Sequence, residues 1–340
     1  MTDRPALRWA LLGASDIAAT KVLPAIRAAG DTAVVVRSGH AAHAERWGGE
    51  HGVPEAVTDI GAALDRDDVD AVYVSSMNAL HREQVEAAAA AGKHVLAEKP
   101  LALSLADAQA MVDACRRAGV VMATNHHLPA SPMHRAMKRA VRDGLVGDVR
   151  AVRVAHAGQL PARLAGWRLD DPVGGGVVLD VTVHDAAAVA AILGTHAVEV
   201  TAIGLNQDNA PRGPFDAVMT TALWDGDVLV QTHDAYNNPH LPTSLHILGT
   251  QGALVADDCN TGDPVGSVMF WRKGSAEPLD VGPRDDPYEV TVRAFGAAVR
   301  GDGEVVVSGE DGVASLAVTL AVAESLRTGA RTAVERVPWP

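Results

Sequence analysis

The sequence predicts a two-domain α/β protein: an N-terminal doubly wound parallel sheet over residues 1–125, then a C-terminal α+β domain over residues 126–340 with a predominantly antiparallel open sheet. Three observations predict it. At 340 residues the chain is long enough for about two domains with ample core. In the first part, short apolar runs and helical spacings alternate strictly, the pattern of parallel strands joined by crossover helices. From about His126 the strands follow one another with few helices between them, the pattern of an antiparallel sheet with helices on one face.

Leu7 to Leu12 is an apolar strand that runs into Gly13-Ala14-Ser15-Asp16-Ile17-Ala18. Helical spacing follows at Ile17, Val22 or Leu23, and Ile26, and Gly30-Asp31 ends it. Thr32 to Val36 is the second strand. Strand, glycine turn, helix, strand is the opening of a dinucleotide-binding unit. The glycine pattern is degenerate, with Ser15 at its second position and Ala18 at its third. Small residues still let the backbone approach a pyrophosphate, and the Ser15 hydroxyl can donate to it. The second strand ends on Arg37-Ser38-Gly39-His40, where an NAD enzyme carries an acid for the ribose hydroxyls. Without that carboxylate, Arg37 and Ser38 can receive a 2′-phosphate, so NADP(H) is favoured and NAD(H) stays open. The plainer reading of Arg37 is a solvated charge at a strand end.

Ala62 to Asp65 and Gln84 to Ala91 read as helices and Ala71 to Ser75 as a strand. Val95 to Ala97 is a buried strand that ends on Glu98-Lys99-Pro100. Charges at the carboxyl end of a parallel strand stand where open α/β sheets place ligands. Pro100 restricts the backbone of Lys99 and allows a cis bond, a stiff way to aim one ammonium into a cleft. The alternative is a common Glu-Lys pair on a surface loop. Ser104 to Asp107 resembles a capping box, opening a helix with an inner face of Leu105, Ala108, Met111, Val112 and Cys115. Gly119 closes it, and Val120 to Ala123 is the next strand.

In the second part, Met133 to Asp143 reads as a helix. Strands are predicted over Val149–His156, Ala197–Ile203, Ala217–Trp224, Val228–Tyr236, Ser244–Leu248, Ala253–Asp257 and Val268–Trp271, separated by turn signals such as Asp225-Gly226 and Gln251-Gly252. The long helix from Gly312 to Thr328 is expected to return to the first domain. Gly174-Gly175-Gly176 precede a helix that carries Asp180 and His184, four residues and one turn apart. A carboxylate that near an imidazole can fix its tautomer and raise its pKa, which suits a proton donor beside a carbonyl being reduced. A capped helix with a structural histidine is the alternative. The glycine run is expected to let this segment approach the dinucleotide domain, with His184 near Lys99.

Composition bounds the partners. The net charge is −13, and no basic run occurs, which argues against nucleic acid and anionic membranes. No apolar run approaches the ~20 residues of a membrane span. Trp9 to Ala14 is apolar but too short for a signal peptide and soon followed by Ser15 and Asp16, so none is expected. The two cysteines, Cys115 and Cys259, make no disulfide framework, so a cytoplasmic location is expected. The 14 histidines raise the question of a metal, with Asn125-His126-His127 and His184-Asp185 as the available groups. No His-x-x-x-His or Cys-x-x-Cys spacing occurs, and adjacent histidines in a strand point to opposite faces, so no metal is expected.

Gly13 to Ala18, Asn78 with His81, Ala91-Gly92-Lys93-His94-Val95, Glu98-Lys99-Pro100 and Gly174 to His184 together resemble the glucose–fructose oxidoreductase/inositol dehydrogenase (Gfo/Idh/MocA) family over almost the whole chain. Thr124 to Leu128, Gly166 to Leu169, Leu179 to Asp185 and Gly309 to Gly312 are similar to members that reduce a cyclic ketosugar with NADPH. The resemblance implies a Rossmann domain and hydride transfer between a nicotinamide and a sugar-derived ketone or alcohol, such as 1,5-anhydro-D-fructose. It implies Lys99 and His184 as catalytic residues with Asp180 as a catalytic and substrate contact. Lys99, His127, Asp180 and His184 would bind substrate. Gly13, Ser15, Asp16, Ile17, Arg37, Ser38, Ser75, Asn78, His81, Glu98, Lys99, Trp167 and Arg168 would bind the cofactor. Three positions depart from the family pattern: His43 stands where the 2′-phosphate arginine falls, Pro129 ends the Asn-His-His-Leu motif, and Ala187 replaces an acid. A non-catalytic dinucleotide sensor and a nicotinamide-assisted glycoside-cleaving enzyme are the rival functions. A homo-oligomer through the open sheet is compatible with the pattern, and so is a monomer.

Overall fold

The computed structural model describes residues 5–208 and 213–337. The chain divides into two compact units. One holds residues 1–125 with 288–312, the other 126–287 with 313–340. The return to the first unit is therefore made by the helix Pro287–Val299 and the segment after it. The long helix Gly309–Thr328, expected to make that return, gives the first unit only its opening turn.

The first unit is built on six parallel strands: β1 (Arg8–Leu12), β2 (Thr32–Arg37), β3 (Glu55–Val57), β4 (Ala71–Val74), β5 (His94–Ala97) and β6 (Met122–Thr124). Their order is β3-β2-β1-β4-β5-β6, so the direction of winding reverses between β1 and β4. Apolar runs on both sides of a strand need cover on both faces. The sequence supplies it: all four residues of β4 are buried, as are four of the five in β1. Each fully buried Val or Leu contributes about 1.5–3 kcal/mol. Trp9, with its indole N–H on Asp31 Oδ2 at 3.2 Å, packs 5.1 Å from the Phe295 ring, which fixes the returning helix to this core. The helix Leu105–Ala118 starts where its cap predicts, with the Asp107 N–H donating to Ser104 Oγ at 3.1 Å, and ends on Gly119 in the left-handed region. The helix Ala41–His51 and the short β3 were not read from the sequence. Helix 41–51 carries Gly48 and Gly49 and has a weak apolar face, so its pattern is faint.

The second unit contains a nine-stranded sheet: β7 (Val149–Ala157), β8 (Ala197–Leu205), β9 (Ala217–Trp224), β10 (Val228–Ala235), β11 (Ser244–Gly249), β12 (Ala253–Asp257), β13 (Ser267–Arg272), β14 (Ser275–Pro278) and β15 (Thr332–Ala333). The order is β14-β13-β12-β11-β7-β10-β9-β8-β15, antiparallel throughout except where β7 pairs parallel with β10. Alternation works as expected. In β10, Val228, Val230, Thr232 and Asp234 are buried while Leu229 and Gln231 face out. Helices Pro132–Arg142 and Val183–Leu193 pack against each other in this unit. Among the described residues no helix is long and apolar enough to cross a membrane.

Candidate active site

In the first unit, five of the six strands end on residues that the sequence singles out. Ligands of doubly wound sheets bind along this carboxyl edge, at the reversal of strand order. After β1 the chain turns at Gly13, whose φ is 135° and whose N–H donates to Arg37 O at 3.0 Å. A Cβ there would lie 2.7 Å from the carbonyl carbon of Ser75, so only glycine lets β1 and β4 end this close. Ser15 Oγ donates to Ser75 Oγ at 2.8 Å and receives the Ala18 N–H at 3.1 Å, capping the helical turn that follows. Ser75 Oγ in turn donates to Gly13 O at 3.3 Å. Asp16 is exposed and Ile17 half-buried at the start of that turn.

At the end of β2, Ser38 Oγ lies 3.1 Å from His43 Nδ1, and Arg37 donates from Nε to Thr58 O at 2.9 Å. From Arg37 to His43 there is no carboxylate. The set of hydroxyl, imidazole and guanidinium suits a phosphate better than a pair of ribose hydroxyls.

At the end of β5, Glu98 Oε1 accepts from Tyr73 Oη at 2.6 Å and Asn125 Nδ2 at 2.5 Å, while Oε2 receives the Lys99 N–H at 3.3 Å. Desolvation pushes the Glu98 pKa up against those bonds. Glu98 thus ties β4, β5 and β6 together beneath Lys99, whose bond to Pro100 is cis. Asn78 opens the short turn Asn78–Leu80 after β4. His81 takes a different place from the expected cofactor contact. It is wholly buried, with Nε2 3.1 Å from Ser76 O and Nδ1 3.1 Å from Leu101 O. Burial pushes its pKa down, so the neutral ring donates to one carbonyl at a time and holds two loops together.

In the second unit, Val178–Thr182 is a π turn that leads into helix Val183–Leu193. Its hydrogen bonds span five residues, so the four-residue spacing of Asp180 and His184 is not that of a regular α-turn. Asp180 Oδ2 accepts from Arg168 Nε at 2.7 Å and Tyr236 Oη at 2.9 Å. Burial and the nearby carboxylate hold the Tyr236 pKa well above its usual value, so it stays a phenol and donates. Arg168 also stacks 4.6 Å from the exposed ring of Trp167. The glycine run serves this cluster. A Cβ on Gly175 would lie 2.6 Å from Trp167 O and 2.9 Å from Arg168 O, and the Gly176 N–H donates to Arg168 O at 2.7 Å. These glycines let the segment pass close to the 167–171 turn of its own unit.

His184 stands among three histidines. Its Nδ1 is 3.3 Å from His126 Nδ1, and its ring centroid is 4.6 Å from that of His127 and 6.4 Å from that of His156. His126 and His127 lie in a loop after β6 rather than in a strand, so both reach the same ring. His126 Nε2 is 3.2 Å from Ser315 Oγ. Among the described residues no three His, Cys, Asp or Glu side chains are arranged to hold a metal ion.

Tyr236, His156 and Asp234 belong to this polar cluster and were missed in the sequence, and Asp185, weighed there only as a metal ligand, belongs to it too. The signal was there for Asp234: alternation puts it on the buried face of β10, where a carboxylate is costly.

Residues 7–126 match the oxidoreductase family with an NAD-binding Rossmann fold (GFO/IDH/MocA), and residues 134–255 match the GFO/IDH/MocA C-terminal domain. The chain is 43% identical over 329 residues to the 1,5-anhydro-D-fructose reductase of Ensifer adhaerens, covering 96% of this chain and 98% of that one. Its structure is similar to an aldose-aldose oxidoreductase from Caulobacter crescentus complexed with glycerol, with a TM-score of 0.87, 25% identity, and 97% and 100% of the two chains covered. It is also similar to a 3-ketoreductase from Actinomadura kijaniata in complex with NADP and TDP-benzene, with a TM-score of 0.82, 27% identity, and 94% and 98% covered.

Proposed function

We propose a ketosugar reductase, starting from the premise that the chain belongs to the GFO/IDH/MocA family of oxidoreductases. The substrate is a cyclic ketosugar of the 1,5-anhydro-D-fructose type and the preferred cofactor is NADPH. The observation that carries this reading is Lys99 at the carboxyl end of β5, set on Glu98 along the edge that also holds Gly13, Ser38 and Ser75.

A nicotinamide dinucleotide supplies the hydride when bound. The chain's own residues do the rest. Gly13 and Ser15 shape the turn for the pyrophosphate, and Ser38 with Arg37 and His43 receives the 2′-phosphate. Lys99 stabilises the negative charge that develops on the carbonyl oxygen. His184 delivers the proton to that oxygen. Asp180, oriented by Arg168 and Tyr236, accepts a hydrogen bond from a sugar hydroxyl, and His127 lines the same substrate. The Ensifer adhaerens relative, named for reduction of 1,5-anhydro-D-fructose, supports the substrate class.

The test is oxidation of NADPH and of NADH with 1,5-anhydro-D-fructose and a panel of ketosugars and dicarbonyls. The expected result is turnover with NADPH exceeding that with NADH, and product carrying one new secondary alcohol. Higher catalytic efficiency with NADH overturns the cofactor preference. Failure of every ketone in the panel overturns the substrate class.

A further inference from the structure

Behind His184 lies a line of ionisable groups that hydride transfer does not itself need. His156 Nδ1 is 2.7 Å from Asp185 Oδ1. The Asp185 and Asp234 carboxyls lie close enough to act on each other's charge and are 1% and 0% exposed. Asp234 Oδ2 accepts from Thr182 Oγ1 at 2.5 Å and Thr232 Oγ1 at 3.3 Å, and Thr232 meets Thr220 at 2.9 Å. Among the described residues, nothing donates a hydrogen bond to the other oxygen of Asp234 or to Asp185 Oδ2. Two carboxylates facing each other in a dry interior cannot both be ionised. One proton held between them supplies the missing donor. Desolvation pushes Asp185 up to about 7, and desolvation together with the Asp185 charge pushes Asp234 well above its usual range. An apolar side chain at either position would cost less to bury.

The groups around the pair come from four directions. His184 shares the helix of Asp185, His126 and His127 face that helix from the loop after β6, His134 comes from helix Pro132–Arg142, and Cys259 follows β12. Burial drives His134 down to about 3 and the Cys259 thiol out of the physiological range, so neither carries a proton in exchange. His156 is the member that stands beside His184.

We propose that His156, held by the Asp185–Asp234 pair, relays solvent protons to His184 after each turnover. This rests on His184 being the proton donor. When His184 has given its proton to the alkoxide, the His156 imidazolium passes its Nε2 proton to it. His156 is left neutral, with Nδ1–H on the Asp185 carboxylate. Solvent, which reaches the partly exposed His156 ring, returns the single proton to Nε2. The proton shared by the two carboxyls stays where it is and leaves them one negative charge to hold the imidazolium. Asp185 and Asp234 are positioning residues, since they act through His156.

Two measurements test this. Infrared spectroscopy of the whole protein at neutral pH should show a protonated-carboxyl band that shifts in D₂O and is lost in Asp234→Asn, with the fold intact by circular dichroism. Absence of that band from the wild type overturns the shared proton, whatever the reaction. In steady-state kinetics, Asp185→Asn and His156→Gln should each lower kcat about tenfold with KM little changed. They should also raise the solvent deuterium isotope effect and recover rate as imidazole buffer is added, while the wild type is indifferent to buffer. Folded variants with wild-type kcat, or a slow rate that buffer does not restore, overturn the relay. His184→Ala separates the two readings: wild-type turnover in that variant removes the proton donor itself, and leaves the infrared result standing.

Discussion

The two units build their functional groups in opposite ways. In the first, the backbone does the placing. A parallel sheet brings five strand ends to one edge, and the groups there are held by short local bonds such as Ser15 to Ser75 and Lys99 N to Glu98. In the second, side chains place one another through buried polar contacts between distant segments: Arg168 and Tyr236 on Asp180, His126 on His184, His156 on Asp185. A backbone-built site tolerates changes in its side chains and fails when the turn geometry changes. A side-chain-built site fails wherever one partner is left buried and unsatisfied, at about 1–3 kcal/mol for each orphaned group.

The largest effect is expected at Lys99, the one residue of the backbone-built edge whose side chain the proposed reaction uses. Lys99→Ala should lower kcat about 10³-fold, the scale of losing a group that stabilises an oxyanion, with NADPH affinity by fluorescence titration changed little. If NADPH binding falls as much as kcat, Lys99 belongs to the cofactor site rather than to the chemistry.

Gly13→Ala tests the backbone directly. The strained φ and the 2.7 Å approach to Ser75 should cost about 1–3 kcal/mol, read as a lower midpoint in urea and weaker NADPH binding. Ser15→Ala, which leaves the turn geometry possible, should cost less than half of that. Equal costs would erase the contrast between backbone and side chain on this edge.

In the second unit, Tyr236→Phe removes only an oxygen, yet it takes a donor from Asp180. About tenfold in kcat/KM is expected to be lost, mostly through KM, since the carboxylate loses its orientation rather than its charge. A variant with wild-type KM would leave Arg168 as the sole orienting partner that matters.

The last effects are those of pH on stability, and the sign separates two buried groups of the second unit. Burial holds His134 neutral, down to about 3 against an ordinary 6.5. The unfolded chain binds the extra proton, so this contribution is present above about 6.5 and is lost as pH falls toward 3. Asp185 runs the other way. Its folded-state value of about 7 lies above an ordinary 3.8, so its contribution is present below about 4 and lost as pH rises through 7. Thermal melts of Asp185→Asn against wild type should favour the variant more at pH 8 than at pH 5. A difference that does not change with pH would mean that Asp185 does not titrate between those values.

The sequence by itself determined the class of both units and most of their strands, but not helix Ala41–His51, β3 or the return of Pro287–Val299 to the first unit. Strand and helix periods are local properties of the chain, and a parallel sheet turns them into positions: the residue after each apolar run arrives at the carboxyl edge without any further contact being specified. Hence the places of Gly13, Ser38 and Lys99 were readable from spacing, and so were seven of the nine strands of the second sheet. The short edge strands β14 and β15 were not, because four exposed residues and a pair of residues carry no apolar alternation. Tertiary structure alone decided the partners of each buried polar group. His81 reads as a site residue until its ring is seen between two carbonyls. His156 and Asp185 lie 29 residues apart, and Thr182 and Asp234 52, so no periodicity links them. They are joined because a desolvated charge must find a hydrogen bond within reach, and reach is set by how the strands and the π turn pack rather than by distance along the chain.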